Sequence, residues 1–292
     1  MKIFVSGAGG YQGGNIAQQL IKKGHHITTL RRSGDNISKM PNVRVKKGGL
    51  ENKEALKNVL TGVDAAVFAL PLLFDLNVAE EYTKNFINAA KEENVPLVVF
   101  NVGSDLAEKS NDLLVLNLKV KVKNLLDASN LNVITLVPDI YIDNISAAWS
   151  IPVILNNNIV PYPVAAQSKV PWISHTDLGK YVASAVEKPE LSGRVLPIGG
   201  NLLTGEEITD AISLETGKEL SYVPLTPDEF EKQISPAFGV LAGREISNLY
   251  RYVESKREQM IAKDFKGTQE ILGVTPQSLS DWVKSVKWEL IP

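Results

Sequence analysis

The stretch Val5 to Ile16, VSGAGGYQGGNI, carries five glycines in twelve residues, and its flanks decide what that density means. Ahead of it, the apolar Lys2-Ile3-Phe4-Val5 reads as a buried strand. Behind it, Ile16, Ala17, Leu20 and Ile21 recur at helical spacing until Gly24 ends the helix. The glycines therefore form a strand-to-helix turn, the setting in which bare backbone N–H groups at a helix start can bind phosphate. Gly7, Gly10 and Gly13 stand as G-x-x-G-x-x-G in that turn, the context a dinucleotide fingerprint requires. A tight turn with close helix–strand packing accounts for one or two glycines, not five. A P-loop is excluded because no Lys-Ser/Thr pair follows, while a methyltransferase-type cofactor turn stays open.

Downstream, strand-like runs alternate with helical ones. His26 to Leu30, Val43 to Val45, Ala65 to Leu70, Leu97 to Phe100 and Val133 to Val137 read as strands. Lys53 to Leu60, Val78 to Glu93 and Leu116 to Ser129 carry helical spacing. Apolar strands separated by helices predict a doubly wound parallel sheet of the Rossmann type, with ligands at the carboxyl ends of its strands. After Asn144 the pattern changes. Asn156 to Pro163 reads as loop, Thr204 with Glu207 and Thr226 with Glu229 as capping boxes, and Thr275-Pro276 as the start of the last helix. The expected division is a dinucleotide-binding domain over 1–145, with 171–199 returning to it, and a smaller, mainly helical cap from 146–170 and 200–292.

Composition narrows the partners. The net charge is −2 with both signs interspersed, so there is no electrostatic footprint for nucleic acid or an anionic membrane. No apolar run approaches the roughly 18 residues of a membrane span, and no signal-peptide pattern opens the chain, so a cytoplasmic location is expected. Cysteine is absent, which excludes thiol catalysis and thiolate ligands, and His25, His26 and His175 lack ligand spacing, so no metal is expected.

The end of the second strand separates the cofactors. An NAD site has an acid there for the ribose 2′-OH, whereas an NADP site needs cations for the 2′-phosphate. Here Arg31 occupies the acid's place and Arg32 follows, and a guanidinium fork suits a phosphate. The expectation is NADP(H) in preference to NAD(H).

With these features, GAGGYQGG, GVDAAVFALP, LKVKVKNLLDASNLNVITLVPDIYIDN and ISHTDLGKYVASAVE resemble the NmrA-like family of atypical short-chain dehydrogenases/reductases, over nearly the whole chain. That resemblance implies a pyrophosphate on the peptide N–H groups near Tyr11 and Gln12. It further implies an adenosine and ribose along Ala69, Leu70 and Pro71, and a nicotinamide bordered by Asn101 and Val102. Such families include reductases of quinones, dyes and plant phenolics, and also redox-sensing regulators.

The resemblance also implies a Y-x-x-x-K motif. Lys119 fits its lysine, the residue that would hold the nicotinamide ribose, but Val115 stands in the tyrosine's place and carries no proton, and Ser104 lies three residues past its strand. Lys119 itself, made less basic by burial, is one replacement acid. Tyr141 after the sixth strand is a weaker one, with core packing its equal alternative. Asp177 reads as a helix-start residue. Quinones need less acid assistance. The missing tyrosine favours a redox-sensing dinucleotide binder that responds to NADP(H), acting on a regulatory protein partner without turnover. The retained Lys119 favours the alternative, an NADPH-dependent reductase of quinones or other small conjugated compounds.

Overall fold

The computed structural model describes residues 1–32, 40–107 and 113–289. Along the chain come β1 (Lys2–Val5), α1 (Tyr11–Lys22), β2 (His26–Arg31), β3 (Val43–Lys47), α2 (Lys53–Leu60), β4 (Ala65–Phe68) and α3 (Leu76–Glu92). They are followed by β5 (Val98–Asn101), α4 (Leu114–Asp127), β6 (Val133–Pro138), β7 (Ile140–Tyr141), α5 (Ile151–Asn157), β8 (Ile159–Tyr162), β9 (Val170–Ile173) and α6 (His175–Ala185). The rest are β10 (Val195–Ile198), β11 (Leu202–Leu203), α7 (Gly205–Thr216), β12 (Ser221–Pro224), α8 (Pro227–Phe238), α9 (Val240–Ile261), α10 (Phe265–Leu272) and α11 (Leu279–Ser285).

One compact unit comprises Met1–Pro138, His175–Ile198 and Lys266–Val274. Strands β4, β5 and β6 are buried along their whole length, as is β1 beyond Lys2. Such strands need a sheet covered on both faces. They build a seven-stranded sheet in the order β10-β6-β5-β4-β1-β2-β3 with every pair parallel. This is the doubly wound architecture the alternation predicts. Chain direction across the sheet reverses between β1 and β4, which pair as Ile3↔Ala65 to Val5↔Val67. Connections leaving these neighbours diverge, so a crevice opens beyond their carboxyl ends.

The other unit comprises Asp139–Ser174, Gly199–Phe265 and Thr275–Pro292. It holds a three-stranded sheet, β11-β9-β7, and a parallel pair, β12-β8. Its core packs Tyr162, Trp172, Phe230 and Tyr250 together. Both capping boxes are present, at Thr204/Glu207 and Thr226/Glu229.

Two sequence expectations are corrected here. The segment 156–163 is not a loop: α5 ends at Asn157, Asn158 turns the chain at φ 56°, and β8 follows at once. Its asparagines and prolines look like turn signals, but β8 is an edge strand, where proline is tolerated, and it pairs only with β12. The last helix starts at Leu279 rather than at Thr275-Pro276. The Ser278 hydroxyl accepts the Asp281 N–H at 3.1 Å and so supplies the cap three residues later.

Candidate dinucleotide site

Gly7 has φ 67°, a left-handed conformation that glycine adopts without a side-chain penalty, and its carbonyl accepts the Gly10 N–H at 2.9 Å. A Cβ on Gly13 would collide with that same carbonyl, so α1 can lie this close to the β1 end only with glycine there. Gly10 is different. Its φ is −94°, and a Cβ would meet nothing nearer than the Gly7 carbonyl, at 3.5 Å. The fold itself does not demand glycine at this position; the space beside it is open.

Gly10 is the N-cap of α1 and offers no side-chain cap, and the first turn carries no acidic residue. The helix start therefore has neither a side-chain cap nor an acid against its positive dipole end, the setting of an anion site. It faces a cleft of ≈ 480 Å³ at the β1/β4 reversal, lined by Gly7, Gly10, Tyr11, Gln12 and Gly13 on one side. Arg31, Arg32, Ala69, Leu70 and Pro71 line it as well. Arg31 is half-buried at the end of β2 and Arg32 is exposed. Tyr11 is 66% exposed, and its ring stacks on His175 at the start of α6, 6.4 Å between centroids.

Several lining residues had no role in the sequence reading. Ser6 ties the two diverging strand ends together: its hydroxyl donates to the Ala69 carbonyl at 2.8 Å and accepts the Ala69 N–H at 2.7 Å. Gly48, Gly49 and Glu51 reach the cleft from the β3 end, and Tyr82 from α3. A hydroxyl directly before the glycine turn and a Gly-Gly pair after an apolar strand were the available signals. Tyr82 gives none, since it sits mid-helix.

The end of β5 forms a polar cluster joined to the cleft through Gln12. Asn101, 1% exposed, donates from Nδ2 to Gln12 Oε1 at 3.0 Å and accepts the Gly103 N–H at 3.0 Å. Val102 is buried, with its N–H on the Leu136 carbonyl. Neither residue lines the cleft itself. The half-buried Lys119 of α4 donates from Nζ to Ser104 Oγ. Burial pulls the Lys119 amine down to about 7, against the opposing pull of the buried Asp105 carboxylate. Its neighbours in KVKVK do something else: Lys121 pairs with Glu80 and Lys123 with Asp127. Tyr141 is buried on β7 in the other unit and does not line the cleft. Asp177 lies in the first turn of α6, as expected, and pairs with Lys180 at 2.7 Å.

Among the described residues no cluster of three or more His, Asp or Glu side chains could hold a metal ion, and no helix is long and apolar enough to cross a membrane. A dinucleotide fits the residues present: the cleft, the open space beside Gly10 and the uncapped helix start match a pyrophosphate, and cations lie at the β2 end.

Comparison with known proteins agrees with this fold. The family model described as the NmrA-like family matches residues 1–282. The prestalk A differentiation protein A of Dictyostelium discoideum is 25% identical over 295 aligned residues, covering 97% of this chain and 92% of that protein. In fold, the chain is similar to the Citrobacter sp. triphenylmethane reductase solved in complex with NADP(H). The TM-score is 0.78 at 18% identity, over 97% of this chain and 99% of that one. It is also similar to Nmra, a negative transcriptional regulator, with a TM-score of 0.67 at 15% identity over 98% of both chains.

Proposed function

Because the chain belongs to the NmrA-like family, we propose that it is an NADPH-dependent reductase of quinones or other small conjugated compounds, with Lys119 as its proton donor. The observation that carries this reading is the Lys119 amine, bonded to Ser104 and drawn by burial to about 7. With Val115 in the family tyrosine's place, the sequence left the reaction without an acid. An ammonium that titrates near neutrality fills that gap, because proton transfer is most efficient when the donor's pKa matches the working pH.

Bound NADPH would supply the hydride. The N–H groups near Tyr11 and Gln12, at the start of α1, would hold its pyrophosphate, and Arg31 and Arg32 would donate charge-assisted bonds to the 2′-phosphate. Ala69, Leu70 and Pro71 would lie along the adenosine and ribose, with Asn101 and Val102 beside the nicotinamide. Lys119 would pass a proton from Nζ to the substrate oxygen while Ser104 Oγ keeps the amine in place. The triphenylmethane reductase, solved with NADP(H), supports the cofactor assignment.

The test is NADPH consumption across a panel of quinones and enones. Lys119→Met should lower kcat by about 10²–10⁴, the usual yield of acid–base catalysis, with NADPH still bound. Wild-type protein that binds NADPH and turns over nothing on the panel would defeat the reductase reading. Val115 favours the second reading, a redox sensor without chemistry, and similarity to the regulator Nmra supports it. A sensor should show cofactor-dependent hydrogen exchange across 144–163 and 204–261 or bind a protein partner only with cofactor.

A further inference from the structure

A second cavity, of ≈ 380 Å³, is lined only by residues of the unit that contains β7 to β9. β8 and β12 run parallel, and the chain leaving each of them, Pro163-Val164 and Pro224-Leu225, forms part of its wall. It thus opens at the carboxyl ends of a parallel strand pair, as ligand sites do in α/β sheets. Its floor is apolar: Val164, Val170, Tyr250 and Val253 line it and are all buried. The Tyr250 hydroxyl is engaged with that of Tyr162 at 2.5 Å, which leaves the ring as the lining surface.

One cation interrupts these walls. Arg257 of α9 lines the cavity half-buried, and among the described residues no carboxylate or other acceptor pairs with it. Glu254, one turn earlier on the same helix, is exposed at the cavity and forms no ion pair with it. A guanidinium partly withdrawn from water beside apolar side chains carries a desolvation cost that a bound anion would offset, and its planar fork fits a carboxylate.

We propose that this cavity binds a small hydrophobic organic anion, an aromatic monocarboxylate, with the carboxylate on Arg257 and the ring against Val164, Val170 and Val253. The site does not depend on the dinucleotide reading, since it shares no residue with that cleft and binding is read without NADPH.

The probe is 1-naphthoate, titrated calorimetrically into the full chain, with 1-naphthalenemethanol as its uncharged counterpart. Naphthoate should bind saturably and at least about tenfold more tightly than the alcohol. Arg257→Gln should remove that preference while leaving the alcohol's affinity unchanged, and Glu254→Gln should tighten naphthoate. Val253→Trp, checked for an intact thermal transition, should abolish both ligands, whereas Gly10→Val should affect neither. Equal affinity for acid and alcohol, wild-type naphthoate affinity in Arg257→Gln, or no saturation by about 10 mM would overturn the proposal. So would naphthoate binding lost in Gly10→Val.

Discussion

Lys119 changes charge within the range in which an enzyme works, and that fixes the sign of two pH effects. Its ammonium, the proton donor we propose, is present below about 7 and lost above it. The kcat for NADPH-dependent reduction should therefore fall as pH rises through about 7, and Lys119→Met should flatten the profile at a low level. A profile that rises through this range would exclude the residue as the acid. Stability runs the other way. Between about 7 and the ordinary lysine value of 10.5 the folded chain has shed a proton that the unfolded chain keeps. This group's contribution to stability thus grows with pH across that window. Urea unfolding of the wild type at both ends, compared with Lys119→Met, should show the growth only in the wild type. In the sequence, a solvated basic helix face is the plain reading for part of KVKVK, and the Y-x-x-x-K spacing singles out Lys119. Packing then separates it from Lys121 and Lys123, which keep surface carboxylate partners.

The turn into α1 separates a glycine the fold needs from one it does not. Gly13→Ala forces a methyl into the Gly7 carbonyl, and such overpacking typically costs about 1–3 kcal/mol. Gly10→Val puts its side chain into open cleft and loses only a good N-cap, about 1 kcal/mol. Denaturation should show the larger loss for Gly13→Ala, and cofactor titration should show dinucleotide binding abolished in Gly10→Val. Normal binding by Gly10→Val would remove the phosphate from this helix start. At this scale the sequence is legible where the signal is local. Buried apolar runs, the glycine turn and two capping boxes declare themselves within a few residues. The short strands β7, β8, β11 and β12 do not, because their partners lie far along the chain, β7 and β11 are only two residues long, and β8 and β12 each carry a turn-like proline.

At the scale of the molecule, the β1/β4 reversal assembles a cleft from segments scattered over the first 82 residues. Its glycine turn and its arginines are readable because each occupies a fixed place in the first strand–helix–strand unit. Glu51 and Tyr82 are not, since their distance from the turn is set by crossovers that leave no local mark. Glu51 brings a carboxylate into the same cleft as Arg31 and Arg32, so cofactor choice rests on the balance of those charges. We expect the cations to prevail, with NADP(H) bound at least tenfold more tightly than NAD(H), a difference of about 1.4 kcal/mol. A ligand that binds only the folded chain stabilises it by about 2.7 kcal/mol at a hundred times its Kd. At that same concentration, tenfold weaker NADH should therefore raise the unfolding free energy by about 1.3 kcal/mol less. The Arg31→Ala/Arg32→Ala double variant should bring the two cofactors level, by weakening NADPH without strengthening NADH. Glu51→Gln should act in the opposite sense and widen the gap in favour of NADPH. Equal stabilisation of the wild type by both cofactors would mean that Glu51 offsets the arginines, and the NADP(H) preference would fall.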